Sequence, residues 1–432
     1  MPRMAAWKVL QAVSAGAYAE TALDQVLNKY SMKAIDKALT TEIAYGSIRQ
    51  RKYLDSWIDN LAKISALKQP PRLRWLLHIG LYQIFLMERI PVSAVVNTTV
   101  QLAKNNNLNK LSSVVNGILR NAIRIREAGQ GLPFKSNASE ELAQSFSIPL
   151  WLANSLITWR GEQGAKSIAM AFNQPPAFDL RINRCKTNPR SVQEIFDKFG
   201  ITSLPIKGCT SGLQITSGMG DLRKWPGYEG GEWSVQDRSS QWIAPLLEAE
   251  PGDRILDACS APGGKATHLA ELIDDNGEIW AVDRSPKRLQ KVSENATRLG
   301  LNSLKCLAAD ASMLLDCKPH WKGYFQRILV DAPCSGLGTL SRNPDARWRM
   351  TPEKIDELII LQARLLRGVL PLLSPGGRIV YSTCTMHPEE NFKQVGEFLA
   401  LHPKVKLKYQ NQIWPDDAQS GDGFYAAVID ID

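Results

Sequence analysis

Cysteine is scarce in this sequence and shows no pairing pattern. The chain of 432 residues has seven cysteines, and no two of them form a C-x-x-C pair. An odd and scattered set argues against a disulfide framework or a zinc ribbon, because both need cysteines at short, paired spacings. The pattern is typical of a reducing compartment. We therefore expect a cytoplasmic protein without a resident metal.

Long apolar runs are also missing. No uninterrupted apolar stretch is long enough to span a bilayer, and the first eight residues lack the apolar segment of a signal peptide. We therefore expect no membrane partner.

Positive charge is only modestly in excess over negative charge, since 52 Lys and Arg residues against 43 Asp and Glu residues give a formal charge of +9. This balance weakly favours a polyanionic partner such as nucleic acid.

The first part of the chain, to about residue 140, has the periodicity of helices. Apolar residues recur at steps of three and four, and strand-like alternation is absent. Proline accompanies the ends of the strongest segment, with Pro71 at its start and Pro91 beyond its end. The predicted helices include residues 73–85, 94–102 and 111–123.

A polar stretch over about 130–145, with Gly129, Gly131, Pro133 and Ser136, indicates a linker. Helical and strand-like patterns then alternate up to about residue 231, which predicts a small α+β module. Its predicted elements are helices over 149–159, 163–172 and 192–199 and a strand over 178–183.

From about residue 232, short β-branched runs alternate with helical stretches. Strands are predicted at 254–257, 278–282, 304–308, 327–330 and 377–381, and helices at 264–273, 286–299 and 352–373. Alternating β and α units predict a mainly parallel, doubly wound, Rossmann-like sheet, whose ligands bind at the carboxyl ends of the strands. The expected architecture is multidomain: an all-α bundle (1–140), a small α+β module (146–231) and an α/β domain (232–432).

The turn after the first strand of the α/β domain has the character of a ligand-binding loop. It consists of Cys259, Ser260, Ala261, Pro262, Gly263, Gly264 and Lys265. The two glycines allow backbone to approach a ligand closely, and the helix that follows offers free N–H groups at its start. The loop is neither a G-x-G-x-x-G turn nor a Walker A loop, since Ala266 follows Lys265. A tight turn without a ligand is the alternative.

Aspartates end four successive strands of this domain, namely Asp257, Asp283, Asp310 and Asp331. A single aspartate at such a place is more often a cap or a turn former. Four at one edge of a sheet predict a shared crevice, and their charge favours a sulfonium over a pyrophosphate. The sequence therefore predicts S-adenosylmethionine rather than NAD, with Asp283 placed to accept the ribose hydroxyls.

Two cysteines, Cys334 and Cys384, follow neighbouring strand ends. A thiolate that adds to carbon-6 of a pyrimidine makes carbon-5 able to attack a methyl sulfonium, after which the carbon-5 proton and the thiol leave. The base must first leave its stack. Each cysteine alone is more often a small buried residue. A zinc site with His387 is a further alternative, but the usual ligand spacing is absent.

Four motifs resemble those of the RNA 5-methylcytosine methyltransferase family. They are Asp257–Lys265 (DACSAPGGK), Asp331–Gly338 (DAPCSGLG), Arg342–Asp345 (RNPD) and Ser382–Thr385 (STCT). The helical part, through residues 90–97 and 114–119, is similar to the RNA-binding fold of the antitermination factor NusB. The resemblance covers nearly the whole chain and implies formation of 5-methylcytosine in 16S ribosomal RNA with S-adenosylmethionine. A tRNA methyltransferase and a non-catalytic RNA-binding assembly factor are the alternatives.

The resemblance also implies roles for individual residues. The loop 259–265 would hold the cofactor, with Asp283 at its ribose and Asp310 on its adenine side. Asp331 would lie between cofactor and cytosine. Cys384 would be the nucleophile and Cys334 would assist release of the product, although in related DNA enzymes the Pro-Cys cysteine attacks instead.

The RNA partner expected from the resemblance is unassembled small-subunit ribosomal RNA, bound by a monomer. Basic residues in the bundle and in the small module are candidate phosphate contacts, with solvated faces as the alternative. They are Arg49, Arg51, Lys52, Arg181, Arg184, Lys186 and Arg190. The segment Gln236–Gln241 also looks like a family element, and a capped helix start is its other interpretation.

Overall fold

The amino-terminal part of the computed structural model is helical, as the sequence predicts. The structure describes residues 1–133, 137–218, 220–416 and 421–431. Packing divides the chain into two compact units, which are residues 1–174 with 340–349, and residues 175–339 with 350–432. The predicted domain limits of 1–140, 146–231 and 232–432 follow a different division and stay a prediction.

The helices and strands have the following bounds. The first unit contains α1 (Pro2–Ser14), α2 (Ala19–Lys29), α3 (Ala34–Arg49), α4 (Arg51–Leu61), α5 (Pro71–Leu86), α6 (Val92–Asn105), α7 (Ser112–Glu127), α8 (Ala138–Ser145), α9 (Leu150–Ala171) and α15 (Ala346–Arg349). The second unit contains β1 (Phe178–Ile182), α10 (Pro189–Lys198), β2 (Thr202–Pro205), β3 (Gly212–Ser217), β4 (Trp233–Val235), α11 (Arg238–Gln241), β5 (Arg254–Asp257), α12 (Gly264–Leu272), β6 (Glu278–Asp283), α13 (Pro286–Leu299), β7 (Leu304–Ala308), α14 (Leu314–Cys317), β8 (Phe325–Asp331), α16 (Pro352–Val369), β9 (Leu373–Thr383), α17 (Phe392–Leu401), β10 (Val405–Ile413) and β11 (Phe424–Ile431).

Helix α5 forms the centre of the first unit. Its residues from Trp75 to Ile84 are all buried, which confirms the prediction of a largely buried helix. Pro71 occupies its first turn, where the missing N–H costs nothing. The indole of Trp7 on α1 donates to the carbonyl of Arg72 at 3.0 Å and ties α1 to the start of α5. None of the helices in the described ranges has the length and hydropathy that a membrane crossing requires.

The predicted linker over 130–145 is wrong for its second half. Residues 138–145 form helix α8, because the side chain of Asn137 accepts the N–H groups of Ser139 and Glu140 and caps the helix. Ser136 lies outside the described residues. The two helices predicted over 149–159 and 163–172 are confirmed as the two parts of α9, which Gly161 separates with a φ of 68°.

A segment from the middle of the chain completes the first unit. Residues 340–349 pack with the amino-terminal helices, and the side chain of Arg347 is fully buried. Its guanidinium donates to the carbonyl oxygens of Arg49, Ser147, Phe172 and Leu340 and to the side-chain oxygen of Asn173, at 3.1–3.3 Å. Arg347 therefore joins three separate stretches of this unit.

The small module is a four-stranded sheet in the order β2-β3-β1-β4. Its neighbouring strands pair antiparallel, and Phe196 on α10 packs against Trp233 on β4, with ring centroids 6.0 Å apart. The strand predicted over 178–183 and the helix over 192–199 are thus present. They form one sheet with a helix on its inner face, as the α+β prediction requires.

The larger sheet has seven strands in the order β10-β11-β9-β8-β5-β6-β7. Strands β5 to β9 pair in parallel and confirm the Rossmann-like prediction. The chain runs from β5 to β6 and β7 on one side, and β8 returns to the other side of β5. This reversal opens a crevice at the carboxyl ends of β5 and β8. The antiparallel strands β10 and β11 extend one edge and were not predicted.

Both faces of the central strands of this sheet are buried. Alternate residues of β5 and β8 belong to different cores, with Leu256 and Ile328 in one and Ile255 and Leu329 in the other. Helices cover the two faces, which explains the almost continuous apolar character of the strands.

We expect Arg347→Ala to destabilise the first unit. Several buried carbonyl oxygens lose their donor, at about 1–3 kcal/mol each, so the free energy of unfolding should fall by roughly 3–5 kcal/mol. Urea unfolding followed by tryptophan fluorescence measures this. The control is Arg120→Ala, which removes an exposed arginine that bonds Asn116 on the same helix. If the two variants unfolded at the same urea concentration, the hydrogen bonds of Arg347 would not stabilise the first unit.

Candidate active site

A cleft lies at the carboxyl ends of the parallel strands of the larger sheet, and its volume is about 260 Å³. The predicted site residues that line it are Cys259, Ala261, Asp283, Asp310, Asp331, Cys334 and Cys384. Other predicted cofactor residues are not among the lining residues, namely Ser260, Pro262, Gly263, Gly264 and Lys265. The cleft sits where ligands of doubly wound sheets bind.

The thiol groups of Cys334 and Cys384 are in contact at this cleft. Their sulfur atoms lie 3.4 Å apart, and both residues are half-buried. The hydrogen bond to Cys384, together with burial, raises the pKa of Cys334 well above its usual value. Cys334 therefore keeps its proton and can donate its S–H to the sulfur of Cys384.

Lys265 and Asp331 form an ion pair beside the thiols. The ammonium of Lys265 lies 2.6 Å from one oxygen of Asp331, and the Ser382 hydroxyl donates to the other oxygen at 2.9 Å. Burial opposes the charge of Lys265, but the charge of Asp331 and the hydrogen bond to it outweigh burial and raise the pKa of this ammonium. A negative Cys384 acts in the same direction. The lysine charge is thus placed to stabilise a thiolate.

A buried carboxylate, Glu390, ties the two cysteine loops together. It accepts the N–H of Ser335 at 2.8 Å and the side-chain amide of Gln362 at 3.0 Å. The Ser335 hydroxyl donates to Glu390 and lies 2.7 Å from the hydroxyl of Thr385. Burial raises the pKa of Glu390. Sequence reasoning missed Glu390, because an acidic pair after Pro388 has the pattern of an exposed turn.

Asp257 contributes no charge to the cleft. It is fully buried and is not among the lining residues. Burial, reinforced by the charge of Asp331, raises the pKa of Asp257 to about 8. The carboxyl group is therefore neutral at pH 7. The prediction that four carboxylates face one crevice is wrong for this residue, because the pattern of strand ends does not reveal how deep each side chain lies.

Asp283 and Asp310 reach the cleft, but each also serves the turn that follows its strand. Asp283 accepts the N–H of Ser285 at 2.8 Å, and Asp310 accepts the N–H of Ser312 at 3.0 Å. Arginines lie beside both carboxylates, namely Arg288 at 3.2 Å from Asp283, and Arg284 and Arg364 at 3.8 Å from Asp310. The cleft is consequently less anionic than four free aspartates would make it.

The loop before α12 packs closely against α13 at a glycine. Gly263 has a φ of 103°, and a Cβ at this position would lie 3.1 Å from the Cα of Val292. Both facts require glycine here. Gly263 is also the residue before the first turn of α12, whose N–H groups lack helical partners. A nucleoside with a short charged tail suits such a loop beside Asp283.

Arg181 is not a phosphate contact, and this prediction is wrong. Its side chain is fully buried and bonds inside the protein. The strand pattern places it on an outer face, but helix α12 covers that face. The other basic residues of the module are exposed, namely Arg184, Lys186 and Arg190.

The basic residues predicted in the helical unit are half-buried. The guanidinium of Arg51 lies over the rings of Trp75 and Trp348, 5.8 and 5.5 Å from their centroids. Arg49 donates to the carbonyl of Ser341 at 3.1 Å. Both side chains thus have structural contacts.

A metal site is not apparent in the described part of the chain. No group of three or more His, Cys, Asp or Glu residues is placed there to hold a metal ion.

Three family models match the chain. The model of the 16S rRNA methyltransferase RsmB/F matches residues 244–429, and that of the NusB family matches residues 1–124. A ferredoxin-like domain described as RsmF/B-like matches residues 148–220.

Curated relatives match along nearly the whole chain. A probable ribosomal RNA small subunit methyltransferase B of Synechocystis is 42% identical, with 89% of this chain and 85% of the relative covered. Ribosomal RNA small subunit methyltransferase B of Proteus mirabilis is 33% identical, with 99% and 97% covered. Among solved structures, PH0851 has the same fold, with a TM-score of 0.84, 24% identity, and 99% and 98% of the two chains covered.

The raised pKa of Asp257 predicts a pH effect on stability. The folded carboxyl keeps its proton up to about pH 8, whereas an unfolded aspartate loses it near the ordinary value of 3.8. Raising the pH between these values therefore favours the unfolded chain. Asp257→Asn removes this penalty, so its stability relative to wild type should increase from pH 5 to pH 8, by up to about 1.4 kcal/mol per pH unit.

Urea unfolding of the ligand-free protein at a series of pH values measures this effect. Asp197→Asn, which changes an exposed aspartate on α10, is the matched control and should show no such trend. If the curves of Asp257→Asn and wild type run parallel, Asp257 is ionised in the folded state.

Proposed function

The chain belongs to the family of ribosomal RNA small subunit methyltransferases B, and from this premise we propose its reaction. The protein transfers a methyl group from S-adenosylmethionine to carbon-5 of a cytosine in 16S ribosomal RNA. The reaction passes through a covalent bond between the sulfur of Cys384 and carbon-6 of the base. The observation that carries this proposal is the contact of two thiols, 3.4 Å apart, in a cleft that also holds Asp331.

S-adenosylmethionine supplies a methyl group on a positively charged sulfur. The loop 259–265 and Asp283 would hold this cofactor, since Cys259 and Ala261 of the loop line the cleft together with Asp283. Asp310 lies further along the same edge, on the side assigned to the adenine. Asp331 is the last residue of β8 and lines the same cleft as the two cysteines, and its two oxygens are oriented by Lys265 and Ser382.

The chemistry begins at Cys384. Its thiolate adds to carbon-6, the C5–C6 double bond opens, and the electron pair moves to carbon-5. Carbon-5 would then take the methyl group as the bond from that group to the sulfonium sulfur breaks, and neutral S-adenosylhomocysteine would leave. Before attack, the S–H of Cys334 lies against this sulfur at 3.4 Å, and the ion pair of Lys265 with Asp331 lies beside it. Asp331 is placed to hydrogen-bond the cytosine ring and hold it in register with the sulfur.

Release of the methylated RNA requires that the bond between the sulfur of Cys384 and carbon-6 breaks. The carbon-5 proton leaves to a base, the C5–C6 double bond re-forms, and the sulfur of Cys384 departs with the electron pair. The departing sulfur regains negative charge, and the S–H of Cys334 can hydrogen-bond to it because the pKa of Cys334 is raised. Cys334 therefore assists the step that frees the methylated RNA.

The RNA substrate fits a chain with a formal charge of +9. Cytosine must leave its stack to reach a half-buried sulfur, and loops or single strands allow this at low cost. We place the protein in the cytoplasm, acting as a monomer on ribosomal RNA before assembly. The exposed Arg184, Lys186 and Arg190 stay candidates for phosphate contacts.

Substitution of each cysteine tests the roles. Cys384→Ala should lower methyl transfer to unmodified 16S ribosomal RNA by more than roughly 1,000-fold, because no covalent bond forms. Cys334→Ala should instead accumulate a protein–RNA adduct that resists denaturant. Tritiated methyl transfer and denaturing gels measure the two effects.

Cys317→Ala, which removes an exposed thiol, is the control and should behave as wild type. An active Cys384→Ala enzyme would overturn the proposed nucleophile. An adduct in Cys384→Ala and none in Cys334→Ala would exchange the two roles.

Binding of the cofactor can be tested without RNA. Asp283→Ala should weaken the binding of S-adenosylmethionine by about tenfold or more, because the ribose loses a charged acceptor worth roughly 1.5–3 kcal/mol. Isothermal titration measures the dissociation constant. Asp316→Ala, at an exposed position of α14, is the control. Unchanged binding in Asp283→Ala would place the ribose elsewhere.

A further inference from the structure

Arg181 has a denser set of contacts than its sequence context suggests. It lies on β1 of the small sheet and is fully buried. Its Nε and Nη2 atoms donate to the two oxygens of Glu271 on α12, both at 2.8 Å. The remaining donors reach Thr267 at 3.0 Å, the carbonyl of Gly264 at 2.6 Å and the side chain of Gln236. All five N–H groups of the guanidinium are thereby used.

Stability alone does not explain this pair. Replacing a buried ion pair with apolar residues of similar size is often neutral or stabilising, because burying two charges carries a large desolvation penalty. A guanidinium is distinctive instead for geometry, since its planar fork fixes several acceptors in one arrangement. The question is therefore which arrangement Arg181 fixes.

The acceptors lie in the first turn of α12, directly after the cofactor loop. Arg181 bonds the carbonyl of Gly264, and the Thr267 hydroxyl bonds the carbonyl of Gly263 at 2.8 Å. A peptide group is planar, so fixing these two carbonyls also fixes the N–H groups of Gly264 and Lys265. The backbone N–H of Thr267 also donates to the carbonyl of Gly263 at 2.9 Å, and the two side-chain bonds add to this restraint at glycines that have no side chain of their own.

We propose that Arg181, Glu271 and Thr267 form a positioning cluster through which the small sheet holds the cofactor loop in its binding shape. This inference rests on the proposed function, which places S-adenosylmethionine at loop 259–265. The cluster touches no reacting atom. It acts through the peptide groups of Gly263 and Gly264.

The segment Gln236–Gln241 belongs to the same arrangement. The side chain of Gln236 bonds Arg181 and donates to Ser240 at 3.3 Å, while Gln241 donates to the carbonyl of Leu180 at 3.2 Å. The segment thus holds the strand of Arg181 from one side while α12 holds it from the other. The capped-start interpretation also applies, since Asp237 accepts the N–H of Ser239 at 2.9 Å.

Thr267 offers the sharpest test, because valine has almost the same shape but no hydroxyl. In the full-length protein, Thr267→Val should weaken S-adenosylmethionine binding roughly five- to tenfold, the effect of about one hydrogen bond. Thr267→Ser keeps the hydroxyl and should bind within about twofold of wild type. Thr297→Val is the control, since its hydroxyl bonds only Ser293 of its own exposed helix face.

Isothermal titration with S-adenosylmethionine gives the affinities, and melting of the ligand-free variants checks the fold. In kinetics, Thr267→Val should raise KM for S-adenosylmethionine and leave KM for RNA and kcat at saturating cofactor within about twofold, because the peptide groups that Thr267 fixes serve cofactor binding and touch neither RNA nor the thiols. A purely structural role would lower the melting temperature without this split between the two KM values.

A folded Thr267→Val protein that binds S-adenosylmethionine as tightly as wild type would overturn the cluster. If Thr267→Val does not fold, Arg181→Lys decides, since lysine keeps the charge opposite Glu271 but cannot reach all the acceptors. Equal cofactor affinity in Arg181→Lys and wild type would equally overturn it. Failure of the wild-type protein to bind S-adenosylmethionine would instead contradict the proposed function itself.

Discussion

The parallel pairing of β8 with β9 is the constraint on which the site depends. In this register Asp331 lies opposite Ser382, so both strands end at one level. Cys334 and Cys384 follow these ends within a few residues, and their sulfurs meet as a result. A shift of the register would separate the thiols and turn side chains to the other face of the sheet. The buried carboxylate of Glu390 and its partners preserve the contact where the strands give way to loops.

Buried ionisable side chains near the carboxyl edge of the larger sheet are stabilised in three different ways. Asp331 is paired with Lys265, Asp257 is neutralised by keeping its proton, and Arg181 is matched by Glu271 and by neutral acceptors. Each solution follows from the cost of an unpaired ion away from water. The arrangement leaves the cleft close to electrically balanced. A cationic cofactor would therefore be selected by individual oxygen atoms at defined positions more than by the net negative charge of the cleft.

Local signals in the sequence were sufficient to predict the limits of helices that begin at a proline or end at a glycine. Helix α13 begins at Pro286 and ends before Gly300 in a left-handed conformation, and its limits match the prediction. Strands buried on both faces were equally clear. Strand β10 was missed because most of its residues are exposed and polar, and α8 was missed because its cap, Asn137, stands in a polar stretch. These elements depend on neighbours that are distant in sequence.

The strand pattern of the sequence was enough to predict which residues of the site lie at the ends of strands. Cysteines and aspartates at strand ends were expected at one edge, and most of those line the cleft. The depth of Asp257 and the inward position of Arg181 depend on helices packed over them, which alternation along a strand cannot reveal. Glu390 was hidden for the same reason, because only folding brings it between Ser335 and Thr385.

The position of Arg347 also has a consequence for synthesis on the ribosome. The amino-terminal helices emerge first, but the segment 340–349 that fills their interior is translated only after β1 to β8. Since chains emerge at roughly 5–20 residues per second, those helices wait many seconds with several carbonyl groups lacking their donor. Vectorial folding of this unit is therefore incomplete until most of the second unit exists, and a nascent chain stalled before residue 340 would present an unfinished helical unit.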